Sequence, residues 1–150
     1  MNPSPLTPTQ LAELSALVVR NRLRAVPTDL DKAQLFLDQS LDSMTELSNI
    51  KVNKVRYDAA YNAAHDVGEA LLAAYGYRTG SGSGQHAAVG EFLEIIFADS
   101  PAQSAAGDFD SLRDGRNGVR YQAKPIGKAQ ADFAGATAQT LLDEAQVILN

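Results

Sequence analysis

The feature that most constrains the fold is the long stretch of residues 52–75, which reads as one uninterrupted helix. Apolar residues three and four positions apart form one row from Val52 to Ala74 and a second row that includes Tyr57. A helix that is apolar on two sides is usually buried among several neighbours. Its alanines and Gly68 would let those neighbours approach closely. The stretch therefore predicts the central helix of a bundle.

Other amphipathic stretches of similar length surround this helix in the sequence, and alternation typical of strands is scarce. A shorter apolar stretch at residues 85–97 predicts one extra short helix. The chain is thus expected to be all-α, with a four-helix up-and-down bundle core and one or two additional short helices. The long helices are predicted at residues 28–50, 52–75, 109–123 and 128–149.

The chain divides into an N-terminal segment and a main bundle. Residues 1–27 are predicted to form a loose, proline-rich arm followed by a short helix, and residues 28–150 to form the bundle. Thr7 and Pro8 provide an N-cap and a proline at the first helical position. This helix is expected to run to about Arg24.

Small and polar residues mark the connections. Gly76 suits the C-cap of the central helix, and the glycine- and serine-rich residues 80–84 predict a mobile connector, with phosphate binding by its backbone as the alternative. A second loop is predicted at residues 99–107, with Asp108 or Asp110 capping the helix that follows.

Composition excludes several kinds of chemistry. The 150 residues contain no cysteine, which rules out disulfides, thiolate zinc sites and cysteine nucleophiles and fits a cytoplasmic location. No signal peptide or apolar span is recognisable, so no membrane association is expected. The net charge of −5 argues against a domain that coats nucleic acid by bulk charge.

The two histidines do not have the spacing of a metal site. His65 and Glu69 lie four residues apart on one helix face, but zinc normally takes three or four protein ligands. A solvated or hydrogen-bonded His65 is the better interpretation, and His86 is expected to cap or anchor the short helix. No metal and no cofactor are therefore expected.

Charge is segregated along the chain. Residues 29–46 contain five acidic residues and one basic residue, whereas residues 113–128 contain five basic residues and one acidic residue. Within the basic segment, Gly115 and Gly118 each cost about 1 kcal/mol relative to alanine in a helix, so close approach of a backbone or a ligand is expected there. One helix face would carry Arg113, Arg116, Asn117, Arg120 and Lys124.

Three features in a fixed order carry a family resemblance. A long helix reads YDAAYNAAH over residues 57–65, Gly84-Gln85-His86 precedes a short helix, and residues 116–121 read R-N-x-x-x-Y near the end of the penultimate helix. With this arrangement, residues 28–149 resemble the HEPN family, the higher eukaryotes and prokaryotes nucleotide-binding domain.

The resemblance implies a helical bundle that pairs as a homodimer through its motif-bearing helices. Many HEPN proteins are metal-independent ribonucleases, often toxins encoded beside a nucleotidyltransferase-like antitoxin. Arg116 matches the arginine of the family's ribonuclease motif, and Asn117 matches the polar residue that often follows. Tyr121 stands where the motif has histidine, and its ordinary pKa of about 10 makes it a weak base. If the protein is active, Arg116 and Tyr121 are the expected catalytic residues.

Three functions remain open at this stage. The first is a non-catalytic dimeric module that binds nucleotide, RNA or a partner protein through Arg113, Arg116, Asn117, Arg120, Tyr121 and Lys124. The second is an active ribonuclease toxin, in which Arg116 stabilises charge and Tyr121 orients the attacking ribose hydroxyl. The third is a structural bundle whose arginines form salt bridges with the acidic helix at Asp31, Asp38 and Asp42.

Overall fold

The protein folds into an all-α helical bundle with one small antiparallel strand pair, in a computed structural model that describes residues 1–82 and 84–150. The predicted fold class is confirmed. The helices are α1 (Pro8–Val19), α2 (Leu30–Glu46), α3 (Asn53–Tyr75), α4 (Gln85–Ile96), α5 (Gln103–Gln122) and α6 (Lys128–Leu149), and the strands are β1 (Leu23–Ala25) and β2 (Tyr77–Thr79). A 3-10 turn at Leu47–Asn49 links α2 to α3.

Helix α3 lies at the centre of the bundle, as the two apolar rows predict. It packs against α2, α4, α5 and α6, and its buried residues lie on several sides of the helix. Gly68 is one of the points of closest approach, because a Cβ there would overlap the side chain of Val89 on α4. Gly76 ends α3 in the left-handed conformation at φ 79°, which confirms it as the C-cap.

Two helix boundaries differ from the predictions. Helix α1 ends at Val19 instead of about Arg24, because Asn21 adopts φ 58° and turns the chain into β1. Helix α5 begins at Gln103, inside the stretch predicted as a loop, so neither Asp108 nor Asp110 is its cap. Ala105 and Ala106 in that first part of α5 are buried, and burial of small side chains stabilises a segment that looks featureless in sequence.

The N-terminal arm is held in place rather than loose. The Asn2 and Ser4 amides donate to the Leu149 and Ile148 carbonyl oxygens at 2.8 Å each, and the Tyr75 hydroxyl donates to the Ser4 carbonyl at 2.9 Å. The predicted Thr7 cap is confirmed, because its side chain accepts from the Gln10 amide. Leu14 and Leu17 of α1 belong to the same buried cluster as the apolar residues of α3.

Gly115 has a structural explanation. The Tyr57 hydroxyl on α3 donates to the Leu112 carbonyl on α5 at 2.8 Å, which brings the phenol against the α5 backbone. A Cβ on Gly115 would overlap the Tyr57 hydroxyl oxygen and lie 2.9 Å from its Cζ. The glycine is therefore needed for packing between α3 and α5, and it is no evidence for a ligand. Gly118 is less constrained, since a Cβ there would lie 3.3 Å from the Lys124 side chain.

Replacing Gly115 by alanine should destabilise the fold by about 1–3 kcal/mol, because the overlap must be relieved by moving Tyr57 or α5. Gly107 on the same helix has no neighbour within 4 Å of an added Cβ, so Gly107→Ala should instead stabilise by up to about 1 kcal/mol. Urea unfolding of both variants measures the difference. Equal midpoints for the two variants would show that Tyr57 does not restrict position 115.

Candidate functional site

The candidate site is a group of side chains from three helices where α3, α4 and α5 meet. Tyr61 and His65 lie four residues apart on α3, and Phe109 and Arg116 lie seven apart on α5, so each pair shares one helix face. His86 is the second residue of α4. We call these five residues the histidine–arginine cluster.

The rings of the cluster are in mutual contact. The centroids of His65 and His86 are 4.3 Å apart, and those of Tyr61 and Phe109 are 5.5 Å apart. Tyr61 and His86 are stacked at an interplanar angle of 7°. Tyr61 and Phe109 are completely buried, whereas the two histidines are partly exposed. The aromatic residues therefore form the floor of the site and the imidazoles its accessible edge.

A hydrogen bond between Tyr61 and His86 sets the protonation of the site. The Tyr61 hydroxyl lies 2.5 Å from His86 Nδ1. Burial raises the pKa of Tyr61 to about 12, so the phenol keeps its proton at neutral pH and can donate it to Nδ1. Such donation holds the neutral imidazole in the tautomer that carries its proton on Nε2, where it is available as a donor to a ligand.

Both imidazoles are neutral at pH 7. Burial lowers the pKa of His65 to about 4, with further lowering by His86 and Arg116. Burial also lowers the pKa of His86, helped by the charges of Arg116 and Arg113. His65 Nε2 lies 3.8 Å from Glu69 Oε1, which is too long for a hydrogen bond, and with a neutral ring the contact is not an ion pair.

Arg116 is the charged member of the cluster. Its Cζ lies 5.1 Å from the centroid of the Tyr61 ring, a cation–π distance. Its Nε is buried without a hydrogen-bond partner, and within the described part of the chain no carboxylate oxygen lies within 4.0 Å of its guanidinium. A buried donor without a partner costs about 1–3 kcal/mol, so an acceptor that bound here would recover that cost.

The other residues of the predicted site are dispersed. Arg113 is neutralised within its own helix by Asp110 at 2.9 Å and Asp114 at 3.5 Å. Asn117 and Lys124 line a different surface groove beside Gly118 and Gln122. Arg120 is exposed to solvent, and it makes none of the described ring, cation–π or hydrogen-bond contacts of the cluster.

Tyr121 is not brought to Arg116. Its side chain is 80% exposed, while Arg116 lies over the buried Tyr61. Helix α5 continues without a break to Gln122, so residues five apart point about 140° away from each other. The helix is not loosened at Gly118, so Tyr121 and Arg116 do not converge within one chain.

The structural hypothesis predicted salt bridges between the arginines of α5 and the acidic residues of α2, and this prediction is wrong for the described residues. The ion pairs of Arg113 stay within α5, and none of the ion pairs in residues 1–82 and 84–150 joins an α5 arginine to Asp31, Asp38 or Asp42.

In the predicted connector at residues 80–84, the Gly80 amide donates to the Arg22 carbonyl oxygen, and the Ser81 hydroxyl accepts from Arg24. Ser83 lies outside the described residues.

Of the five cluster residues, the sequence predicted only Arg116 as part of a site, and Tyr61, His65, His86 and Phe109 were missed. Tyr61 and His65 share a face at a spacing of four residues, which is a usable signal, but nothing in sequence spacing pairs Tyr61 with His86 on another helix.

In the described residues, no three His, Asp or Glu side chains are grouped so as to hold a metal ion. None of the described helices is both long and apolar enough to span a bilayer.

Comparisons with known proteins give no match. A scan of protein-family models and searches of curated proteins and of solved structures found nothing similar to this chain. The arrangement of the site is therefore the basis on which a function is proposed.

The lowered pKa of His65 makes stability depend on pH. Between about pH 6.5 and pH 4 the unfolded chain binds a proton at this residue and the folded chain does not, so stability falls as the pH falls through this window. The variant His65→Gln has no titrating imidazole at this position, so it lacks this dependence of stability on pH. From pH 7 to pH 5 we expect the wild type to lose about 2 kcal/mol relative to the variant in urea unfolding.

Comparing the two proteins isolates His65. The raised pKa values of Asp66 and Glu69, caused mainly by burial, have the opposite effect on stability, but both proteins share them. A difference in unfolding free energy that stays constant from pH 7 to pH 5 would contradict a depressed His65 pKa.

Proposed function

We propose that the protein is a HEPN-like helical module that binds a phosphate group of a nucleotide or RNA at the histidine–arginine cluster. One observation carries the proposal: the guanidinium of Arg116 lies over Tyr61 with a buried, unpartnered Nε and without a carboxylate partner among the described residues. Arginine presents several N–H donors in a planar fork that matches the oxygens of phosphate.

The neighbours of Arg116 support an anionic ligand. The two neutral imidazoles add no net charge, and the Nε2–H of His86 in its Tyr61-bonded tautomer supplies one more donor. The stacked Tyr61 ring fixes the guanidinium at one place, so less side-chain freedom is lost on binding. Because Tyr61 and Phe109 are fully buried, they do not offer a face on which a base could stack. The cluster therefore suits a phosphate better than a nucleobase.

The HEPN resemblance is consistent with this assignment. The long helix with Tyr61 and His65, the short helix that begins beside His86 and the penultimate helix with Arg116 follow in the order that suggested the family. The same resemblance adds two proposed partners, a second copy of the chain contacting through α5 and a nucleotidyltransferase-like antitoxin. The exposed Tyr121 would then lie in the contact between copies instead of at the phosphate.

Removing the charge of Arg116 should weaken phosphate binding. With adenosine 5′-monophosphate as the ligand in titration calorimetry, Arg116→Gln should lower the affinity about tenfold or more, because a charge-assisted bond to phosphate is lost. Arg120→Gln removes the same charge from an exposed site one turn away and serves as the control. Adenosine without a phosphate should bind neither protein. Equal affinities of Arg116→Gln and Arg120→Gln would exclude the cluster as the phosphate site.

A second candidate function is metal-independent RNA cleavage, favoured by the two neutral imidazoles beside Arg116. The neutral ring of His65 can take the proton of a ribose 2′-hydroxyl as its oxygen attacks the adjacent phosphorus, while Arg116 stabilises the charge on the phosphoryl oxygens. The bond to the 5′-oxygen breaks, this oxygen takes a proton from water, and the imidazolium returns its proton to the solvent. The products are a 2′,3′-cyclic phosphate and a 5′-hydroxyl.

This candidate predicts cleavage of RNA by the purified protein in the presence of EDTA. His65→Gln should lower the rate by about 100-fold or more, the usual contribution of a proton-transfer residue, and should leave RNA binding within about threefold. Tyr121→Phe should cleave like the wild type, because Tyr121 lies away from the cluster. Intact RNA after prolonged incubation with the wild type would leave phosphate binding as the function.

A further inference from the structure

Two arginines face each other across the strand pair. The register of the antiparallel strands sets Arg24 of β1 directly opposite Arg78 of β2. Their neighbour Leu23 is completely buried, so the alternation of side chains turns both arginines to solvent, and both are exposed. Directly opposed residues have Cβ atoms about 4.5–5.5 Å apart. The strand pair thus carries two arginine side chains on its solvent-exposed face.

The charges of this pair are not balanced inside the protein. Like charges directly opposite each other destabilise a strand pair, and in the described residues neither Arg24 nor Arg78 has a carboxylate within 4.0 Å. Arg24 donates to the uncharged Ser81 hydroxyl at 2.7 Å. The chain has 18 acidic residues against 13 lysines and arginines, so an unbalanced arginine pair is not a product of general basicity. Its arrangement suits an anion that takes bonds from both guanidinium groups.

The residue that leads into the strand pair contacts the start of α4. Arg22, between Asn21 and β1, forms an ion pair with Glu91 of α4. Arg22 Nη1 also lies 3.2 Å from the position of a Cβ on Gly84, which is only two residues before His86. Two residues span at most about 7 Å, so the side chain of Arg22, two residues before Arg24, ends near the edge of the cluster at the start of α4. Glu91 forms an ion pair with Arg22 and also lies 3.9 Å from Arg20, whereas in the described residues Arg24, Arg78 and Arg116 have no carboxylate within 4.0 Å.

We propose that Arg24 and Arg78 form a second phosphate subsite, and that the ligand is a single strand of nucleic acid whose backbone runs from this pair to Arg116. This inference rests on the proposed function and specifies its ligand as a polynucleotide rather than a mononucleotide. Different phosphates of one strand would meet the two groups of arginines. A mononucleotide has a single phosphate group, which would occupy the cluster and leave the arginine pair without a ligand.

The test compares mononucleotide and oligonucleotide ligands in three variants, of which two are double and one is single. Arg24→Gln/Arg78→Gln removes the pair, Arg116→Gln removes the cluster's charge, and Lys51→Gln/Lys54→Gln removes two exposed charges at the start of α3 as the matched control. The ligands are adenosine 5′-monophosphate and a fluorescein-labelled ten-nucleotide oligouridylate. The oligodeoxythymidylate of the same length distinguishes RNA from DNA as the source of the backbone.

We expect the pair variant to bind the oligouridylate at least about tenfold more weakly than the wild type at 0.1 M salt, and to bind the mononucleotide unchanged. Its plot of log affinity against log salt should be less steep by about 0.7, since the pair holds one phosphate and each single-strand phosphate contact contributes about 0.7. The control variant should keep the wild-type slope. The thermal midpoint of the pair variant should be equal to or higher than that of the wild type, because a repulsion is removed.

The failures of the two proposals differ. Wild-type affinity and salt slope for the oligouridylate in the pair variant would overturn the second subsite, whatever Arg116→Gln does. Unchanged mononucleotide binding in Arg116→Gln would instead overturn the phosphate site of the cluster. Equal losses in the pair variant and the lysine control would show a general charge effect and would also overturn the subsite.

Discussion

The close approach of α3 to its neighbours is the constraint on which the rest of the structure depends. Gly68 lets Val89 of α4 touch the α3 backbone, and Gly115 of α5 accepts the Tyr57 ring of α3. Both contacts exclude even one methyl group. With α4 and α5 held at these distances, His86 and Arg116 come within reach of Tyr61, and the cluster forms at the junction of the three helices. The packing that stabilises the bundle therefore also assembles the site.

The same burial sets the electrostatics of the site. It keeps Tyr61 protonated and both imidazoles neutral at pH 7, so positive charge in the cluster is confined to Arg116. A protonated His65 or His86 beside this guanidinium would be repelled by it, and both pKa values fall for that reason as well as through desolvation. The site is thus an accessible cation on a buried aromatic floor, which favours an anion over a neutral ligand.

Much of the fold could be predicted from local patterns. The two apolar rows of residues 52–75 predicted a central helix, which the structure has as Asn53–Tyr75. The caps at Thr7 and Gly76 followed from residue type. The strand pair could not be predicted, because strands of three residues carry too little alternation and depend on a partner more than fifty residues away. The start of α5 was missed since its alanines gain from burial only after the bundle forms.

The candidate site shows the same division. Sequence alone determined that a helix near the C-terminus carries Arg113, Arg116 and Arg120 on a basic face, because helical periodicity is a local property. Only the tertiary structure decided which arginine serves the site. It pairs Arg113 with Asp110, leaves Arg120 in solvent, and lays Arg116 on Tyr61 beside histidines from two other helices. The reason is physical: contacts between helices depend on which faces pack together, and residue spacing within one helix does not contain that information.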